Sequence, residues 1–579
     1  MARPSVRPTA IALDAWPALL AVVLCLPLLT RSGHPLARDL VFVPHQPLTL
    51  ASVGLGDGAP RAVPLDAVVA LLTQVVDGGV LARLVLPLVL ALAGWGLHRL
   101  VGGLGTGARL LAGGLAVWNP YVVERLALGQ WALLAGYATL PWLLLAGRRF
   151  RDSGAWGDLG ATAGWLGLAS LTPTGGVLGS AAALVAGAGR SARTWRLVAL
   201  CVLLQLPWLV PSLLGAATAT SDPAGVDAFS AGDEGPGGVL TALLGLGGIW
   251  DAQSVPGTRE TWWSTVTAVL VVAALAVAWA RGGLVRLLGR PDAVRLTALG
   301  AGGLLLAFAS SVPGGTDLVA WLVDTVPGAG LLRDSQKFLA PFAVLAVVAL
   351  AVVADAVLTA ATRHGSEVVL AAGLLVVPLP VLLLPDGAAT TWPTVDPVDF
   401  PAGLQRAADL VDSGPPGAQV ATLPWRSYRG FTWGHGLTSS DPALRMVDRP
   451  VLVSDVLQVG PTTIRGESVR VRDLGAALLE EPAAQALAAH DVTWALVYRD
   501  DPAAADLDVT GLDEVYADRL VALYRVPGAA VPPAATGTPA RVMTGLVDVL
   551  ALGCVLTGAA LGVRRAGRRR GKASGRGSR

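Results

Sequence analysis

The stretch 338–358, FLAPFAVLAVVALAVVADAVL, carries one ionisable residue, Asp355, in an otherwise apolar run. At a rise of about 1.5 Å per residue it is long enough to cross the roughly 30 Å hydrocarbon core of a bilayer. Nothing in that layer hydrogen-bonds a free peptide group, so the run reads as a helix that satisfies its own backbone. Working outward, the same reading applies at about 13–31, 79–98, 109–122, 130–147, 157–172, 174–189, 196–214, 263–280, 295–312, 366–385 and 541–563. The chain is thus predicted to be a polytopic α-helical membrane protein of about 12 transmembrane helices. The third, fifth and sixth stretches are short and glycine-rich, which leaves a re-entrant path open for two of them.

Composition excludes a soluble chain: 53% of the 579 residues are hydrophobic, 15% are charged, and mean hydropathy is +0.59. The net charge of +2 says less than its distribution. Bases cluster in short loops: Arg3 and Arg7; Arg99 and Arg109; Arg148, Arg149 and Arg151; Arg190, Arg193 and Arg196; Arg281, Arg286 and Arg290; Arg363; and the tail RRAGRRRGKASGRGSR, 564–579. Positive charge stays on the cytoplasmic side, so both termini and all of these loops are expected there. MARPSVRPT resembles the basic start of a signal peptide, but no small-x-small cleavage site follows, and the first helix reads as uncleaved. Cys25, Cys201 and Cys554 fall inside predicted spans, leaving none for a disulfide or thiolate site in the aqueous part. Arginine almost entirely replaces lysine, alongside abundant Ala, Gly, Leu and Val, which points to a GC-rich bacterial genome and a plasma membrane location.

This orientation divides the chain into a multi-spanning domain, 1–385, an extracytoplasmic α/β domain, 386–540, a last helix, 541–563, and a cytoplasmic tail. Outer loops 32–78, 215–262 and 313–337 carry the polar chemistry. Asp39 follows the first helix, flanked by Arg38, and PLDAVVALLTQVV (64–76) has the pattern of a helix lying at the interface. The second outer segment, WNPYVVERLALGQW (118–131), holds Asn119, Glu124, Arg125 and Gln130 close to the membrane surface. In 215–262 the acids Asp222, Asp227, Asp233 and Glu234 sit among Gly, Ser and Pro and read as a solvated loop, followed by Trp250, Asp251 and Arg259. The loop 313–337 ends in Arg333, Asp334 and Lys337, the last being the only lysine outside the tail. Singly, such residues at helix ends cap, snorkel or pair. Concentrated on one face, an acid and several cations suit an anionic headgroup with a proton acceptor beside it.

The strings ARDLVFVP (37–44), NPYVVERLALGQWALLAGYA (119–138) and LLRDSQKFLAPF (331–342), with an early aspartate in a long first outer loop, resemble the GT-C superfamily of polyprenyl-phosphate-dependent glycosyltransferases. They are most similar to its actinobacterial, arabinofuranosyltransferase-like integral membrane proteins, over about 12–385. The resemblance implies sugar transfer from a polyprenyl-phosphate donor to an envelope glycan or glycolipid acceptor on the outer face, with Asp39 in the place of the catalytic base or metal ligand. The paired acids of many members are missing, since Arg38 and Leu40 flank Asp39. The cofactor is therefore undetermined, a divalent cation being the one candidate. On this reading Arg38, Glu124, Arg125, Arg333, Asp334 and Lys337 are candidates for binding donor phosphate or substrate, arginine being suited to bidentate phosphate contact. The partners are membrane lipid, donor and acceptor glycan; no phosphate-loop motif occurs, and no nucleic acid is expected.

In 386–540, AGLQRAADLVDSG (402–414) reads as an amphipathic helix, AQVATLPW (418–425) as a strand, PAAQALAAHDVTWALVYRD (482–500) as helix then strand, and GLDEVYADRLVALYRVPG (511–528) as short helix then strand. Arg426, Tyr428, Trp433 and His435 combine aromatic and basic groups, as an acceptor-glycan surface does, or pack this domain on the membrane part. Two other classes remain open: a non-catalytic scaffold or lipid- or glycan-handling protein of envelope assembly, and a transporter. The transporter is disfavoured by the scarcity of mid-membrane ionisable residues and of internal repeats.

Overall fold

The computed structural model describes residues 8–56, 62–215, 221–326, 328–531 and 537–574, with side chains as far as residue 567. Arg3, Arg7 and the end of the basic tail lie outside them. Six helices among the described residues are long and apolar enough to cross a membrane: Gly78–Leu100, Arg193–Leu214, Trp263–Ala280, Arg290–Ala309, Ser335–His364 and Thr538–Gly567. Each falls on an expected span, but the count of about twelve is not reproduced, and the other six stretches differ for local reasons. The first breaks at Cys25 into Pro8–Leu24 and Leu26–Thr30, Pro27 being unable to donate into a continuing helix. The eleventh breaks likewise around Pro378 and Pro380 into Ser366–Val376 and Leu379–Leu383. Thr106–Val117, Trp156–Ala169 and Pro173–Gly187 are short helices, while Trp131–Ser153 has 23 residues but ends in the charged run Arg148–Asp152.

Small residues set the helix spacing. A Cβ added at Gly136 would lie 2.8 Å from the Cα of Gly175, so the Trp131–Ser153 and Pro173–Gly187 helices meet backbone to backbone. At the ends of these helices remote from the sheets, Arg148 and Arg151 both bind Asp292, at 2.8 Å each, and Arg565 binds Asp158 at 2.9 Å. The basic loops thus gather at one end of the bundle.

The strands lie at the other end. They are β1 (His34–Ala37), β2 (Leu40–Val41), β3 (Pro397–Val398), β4 (Val420–Leu423), β5 (Tyr428–Gly430), β6 (Thr438–Ser440), β7 (Val451–Leu452), β8 (Leu457–Val459), β9 (Thr462–Ile464), β10 (Trp494–Tyr498), β11 (Asp513–Ala517) and β12 (Val521–Arg525). The main sheet runs β11-β12-β10-β4-β7, with β10 parallel to β4 and antiparallel to β12. The buried β10, WALVY, has the continuous apolar run of a strand covered on both faces. The helix of 402–412 and the helix-strand of 483–498 form as expected. Residues 511–528 instead form the β11–β12 hairpin: Asp518 accepts from the N–H groups of Leu520 and Val521, both at 2.8 Å, closing a turn where the sequence suggests a helix.

Two features tie the sheet region to the helices. β1 pairs with both β2 and β3, so loop 32–78 and the segment after residue 386 share one small sheet. The Gly387–Val395 helix packs on the bundle, with Thr391 donating to Leu24 O at 3.0 Å and Thr394 to Ala127 O at 2.6 Å. The expected interface helix of 64–76 forms as Leu65–Thr73 and lines the cavity described next.

Candidate functional site

Where sheets and helices meet there is a cavity of about 1790 Å³. One wall is apolar and comes from membrane helices: Trp131, Leu133, Trp208 and Pro211. The sheet region lines it with polar side chains, including Arg426, Tyr428, Arg445 and Gln458, and with apolar ones such as Trp425 and Leu457. Asp39, Arg333, Asp334 and Lys337 also line it.

Asp39 is aimed by its neighbour. Arg38 adopts a left-handed backbone (φ 54°), which costs a side-chain-bearing residue about 1–2 kcal/mol. β6 holds that turn, as Arg38 N–H donates to Thr438 O at 2.7 Å and its carbonyl accepts from Ser440 N–H at 2.9 Å. The turn sends adjacent side chains to different partners. Arg38 is buried, pairs with Asp251 and donates to Ser254 Oγ at 2.9 Å. The Asp39 carboxylate accepts from Tyr428 Oη at 2.5 Å on one oxygen and from Gln130 Nε2 at 3.0 Å on the other. Gln130 can come this close because the preceding residue is Gly129 (φ 85°); a Cβ there would sit 2.9 Å from Leu40 Cβ and 3.1 Å from the Asp39 carbonyl carbon. Asp66, Asp251, Asp334 and Glu467 also line the cavity, each paired with an arginine, whereas both bonds to Asp39 come from neutral groups.

Gln130 also connects Asp39 to a buried charged cluster. Its Oε1 accepts from Arg125 at 2.8 Å, and Arg125 makes a two-pronged pair with Asp334, 2.7 Å on each side. Lys337 Nζ is 3.3 Å from the same Asp334 and is a quarter exposed toward the cavity. Two cations share one carboxylate, so the cluster presents a net positive charge through Lys337. Burial alone would raise the Asp334 pKa; Arg125 and Lys337 outweigh it and hold the carboxyl at about 2.

Behind Arg125 lies a second polar layer. Arg125 Nε donates to Gln336 Oε1 at 2.7 Å, and Gln336 reaches Glu124 Oε2 at 3.4 Å and Gly247 O at 3.1 Å. Glu124 lies against Glu234, which binds the fully buried Arg259 at 2.6 Å. Burial, and next the Glu234 charge, push the Glu124 pKa well above the usual carboxylate range. Glu234 is not on a solvated loop as its Gly-rich surroundings suggest. Arg259, 25 residues on, supplies a counter-charge that local composition does not announce. Asp222 is buried too, accepting from Arg465 N–H at 2.8 Å.

Of the residues singled out in sequence, Arg38, Asp39, Arg333, Asp334, Lys337, Arg426 and Tyr428 line the cavity. Arg125 stands directly behind it and Glu124 deeper still, both wholly buried. Trp433 and His435 are not brought to the cavity. Trp433 packs on Phe431 and Phe400 at centroid distances of 4.6 and 5.5 Å, and His435 Nε2 contacts Pro397 O at 3.1 Å and Asp396 at 3.5 Å. Three residues absent from the candidate set shape the site: Gln130, Gln336 and Glu467. Gln130 carries a local signal, as a polar residue between Gly129 and the apolar start of the Trp131–Ser153 helix. Glu467, which binds Arg333 Nη2 at 2.7 Å from 134 residues away, carries none.

The donor set does not fit a divalent cation. Asp39 has no second acid beside it, both its oxygens accept hydrogen bonds, and no group of three or more His, Cys, Asp or Glu is placed to hold a metal among the described residues.

No protein-family model matches the chain, and no curated protein does. The fold is similar to that of the mycobacterial arabinofuranosyltransferase AftD, solved by single-particle cryo-EM, with a TM-score of 0.55 and 18% identity. That match covers 92% of this chain and 40% of AftD, so the chain spans well under half the length of that protein. Two structures of an AftD mutant match at TM-scores of 0.52 and 0.53 and 17% identity, over 88% and 91% of this chain and 41% and 42% of theirs. Helices, sheet region and likeness agree, and the chain shares the fold of the matched part of AftD.

Proposed function

We propose that the protein transfers a sugar from a polyprenyl-phosphate donor to a hydroxyl of an envelope glycan or glycolipid, on the outer face of the plasma membrane. The observation that carries this reading is the cavity itself. A carboxylate held by neutral donors and a lysine of an unbalanced cationic cluster open into a space whose one wall is apolar membrane helix. The lipid tail lies along Trp131, Leu133, Trp208 and Pro211, and the donor phosphate at Lys337 and Arg333. Asp39 accepts the proton of the acceptor hydroxyl as its oxygen bonds to the anomeric carbon. The bond from that carbon to the phosphate oxygen breaks, and polyprenyl phosphate leaves with the electron pair. Lys337 and Arg333 face the charge that grows on the leaving group.

Lys337→Ala tests the donor side. Detergent-solubilised protein is expected to bind farnesyl phosphate, a short polyprenyl phosphate, and the variant about tenfold more weakly or worse, the scale of one charge-assisted contact. Equal binding by both would remove Lys337 from the site. Orientation has its own test, motivated by the basic loops at one end of the bundle. A reporter active only in the cytoplasm should work when fused after residue 290 or at the C-terminus, and be silent near residue 450. Activity at 450 would invert the sidedness proposed here.

A further inference from the structure

Arg333 faces the cavity, yet its guanidinium holds a carboxylate of the chain's own sheet region. Its Nη2 donates to Glu467 Oε1 at 2.7 Å, and both side chains are largely buried, 11% and 5% exposed. The position of Glu467 is built: its backbone N–H donates to Asp455 Oδ2 at 2.8 Å, as the N–H of Ser468 does at 2.9 Å. Glu467 ends the segment that carries the β8–β9 hairpin, whose residues also line the cavity. The same wall places the Tyr428 hydroxyl on Asp39, the bond an acceptor hydroxyl must make before it is deprotonated.

We propose that Glu467 is an internal stand-in for the donor phosphate: an anion from the sheet region that occupies Arg333 and that the polyprenyl phosphate must displace. The inference rests on the reading of the cavity as a polyprenyl-phosphate site. Asp334 cannot play this part toward Lys337, because Arg125 locks it on both oxygens. Glu467 meets Arg333 from an element separate in sequence by 134 residues, and both residues line the cavity. A site whose cation is engaged part of the time binds its ligand more weakly by the fraction engaged, and removing the competitor restores that affinity. The stand-in therefore sets a threshold for donor binding and couples it to release of the sheet-region wall.

The test is Glu467→Gln in the full-length protein, with farnesyl phosphate as probe, and farnesol and inorganic phosphate as separate arms. The amide keeps the shape and a neutral acceptor for Arg333 but loses the charge. Farnesyl phosphate is expected to bind about tenfold more tightly to the variant than to wild type. Farnesol should be indifferent to the change, and inorganic phosphate weak in both proteins. Arg333→Ala should bind weakly whether residue 467 is Glu or Gln. If wild type binds farnesyl phosphate and Glu467→Gln binds equally or less well at an unchanged melting temperature, the stand-in is wrong and the donor site survives. If wild type does not bind it at all, the functional reading fails and the inference with it.

Discussion

Asp39→Asn is expected to abolish sugar transfer while leaving the protein folded and able to bind farnesyl phosphate. Loss of a general base typically costs about 10²–10⁴-fold in rate. The structure explains why the two effects should separate. Asparagine fits the same space, and its carbonyl oxygen still accepts from Gln130 or Tyr428. No arginine or lysine pairs with Asp39 among the described residues, so the change strands no buried cation; it weakens hydrogen bonds to a carboxylate, a loss of about 1–3 kcal/mol. Lys337→Ala should do the reverse, weakening donor retention at Lys337 while Asp39 stays in place. Envelope glycan analysis of a deletion strain complemented with each variant, beside farnesyl phosphate binding by the purified proteins, reads both properties. Full rescue by Asp39→Asn would put the non-catalytic scaffold ahead of the transferase.

The sequence discloses much of this site because its parts sit at helix ends, where a charged residue next to an apolar run is conspicuous. Arg333, Asp334 and Lys337 are of that kind, whereas Asp39 stands in the turn between β1 and β2 and is legible only as an early acid of the first outer loop. The six helices long and apolar enough to cross a membrane are legible for the same reason, that a long apolar run has few alternatives. Short glycine-rich stretches are not, since neither length nor periodicity says whether such a helix crosses. Burial is the other quantity hidden in one dimension. Glu124 and Arg125 are adjacent and equally polar, yet Arg125 supports the cavity while Glu124 turns toward Glu234 and Arg259. Trp433 and His435 looked like Tyr428 in composition, and only the pairing of β5 with β6 decides that Tyr428 reaches Asp39, 389 residues away. Glu467 shows the limit: its role exists only through its partner on another element.

Asp334→Asn should be the most destabilising of the substitutions considered, and it tests whether the charged cluster is what holds Asp39 in register. Arg125 has no exposed surface, and Asp334 receives both Nη groups at 2.7 Å. Removing one partner of such a pair costs about 3–5 kcal/mol, because the remaining charge stays buried without compensation. Acid is no substitute for the mutation. The carboxyl titrates at about 2 in the folded chain, below the roughly 3.9 of an unfolded one, so its contribution is complete above about pH 4 and disappears only as pH falls through about 2. The measurement is thermal unfolding in detergent at neutral pH, with Asp39→Asn alongside as an isosteric change that should lower the melting temperature less. A double variant, Arg125→Met with Asp334→Asn, removes the stranded charge and should recover much of the loss. Its transfer activity should nevertheless stay low, because Gln130 then loses the Arg125 contact that orients it toward Asp39. Wild-type melting by Asp334→Asn would show that water, Gln130 and Gln336 already compensate Arg125, and would remove the cluster as the support of the site.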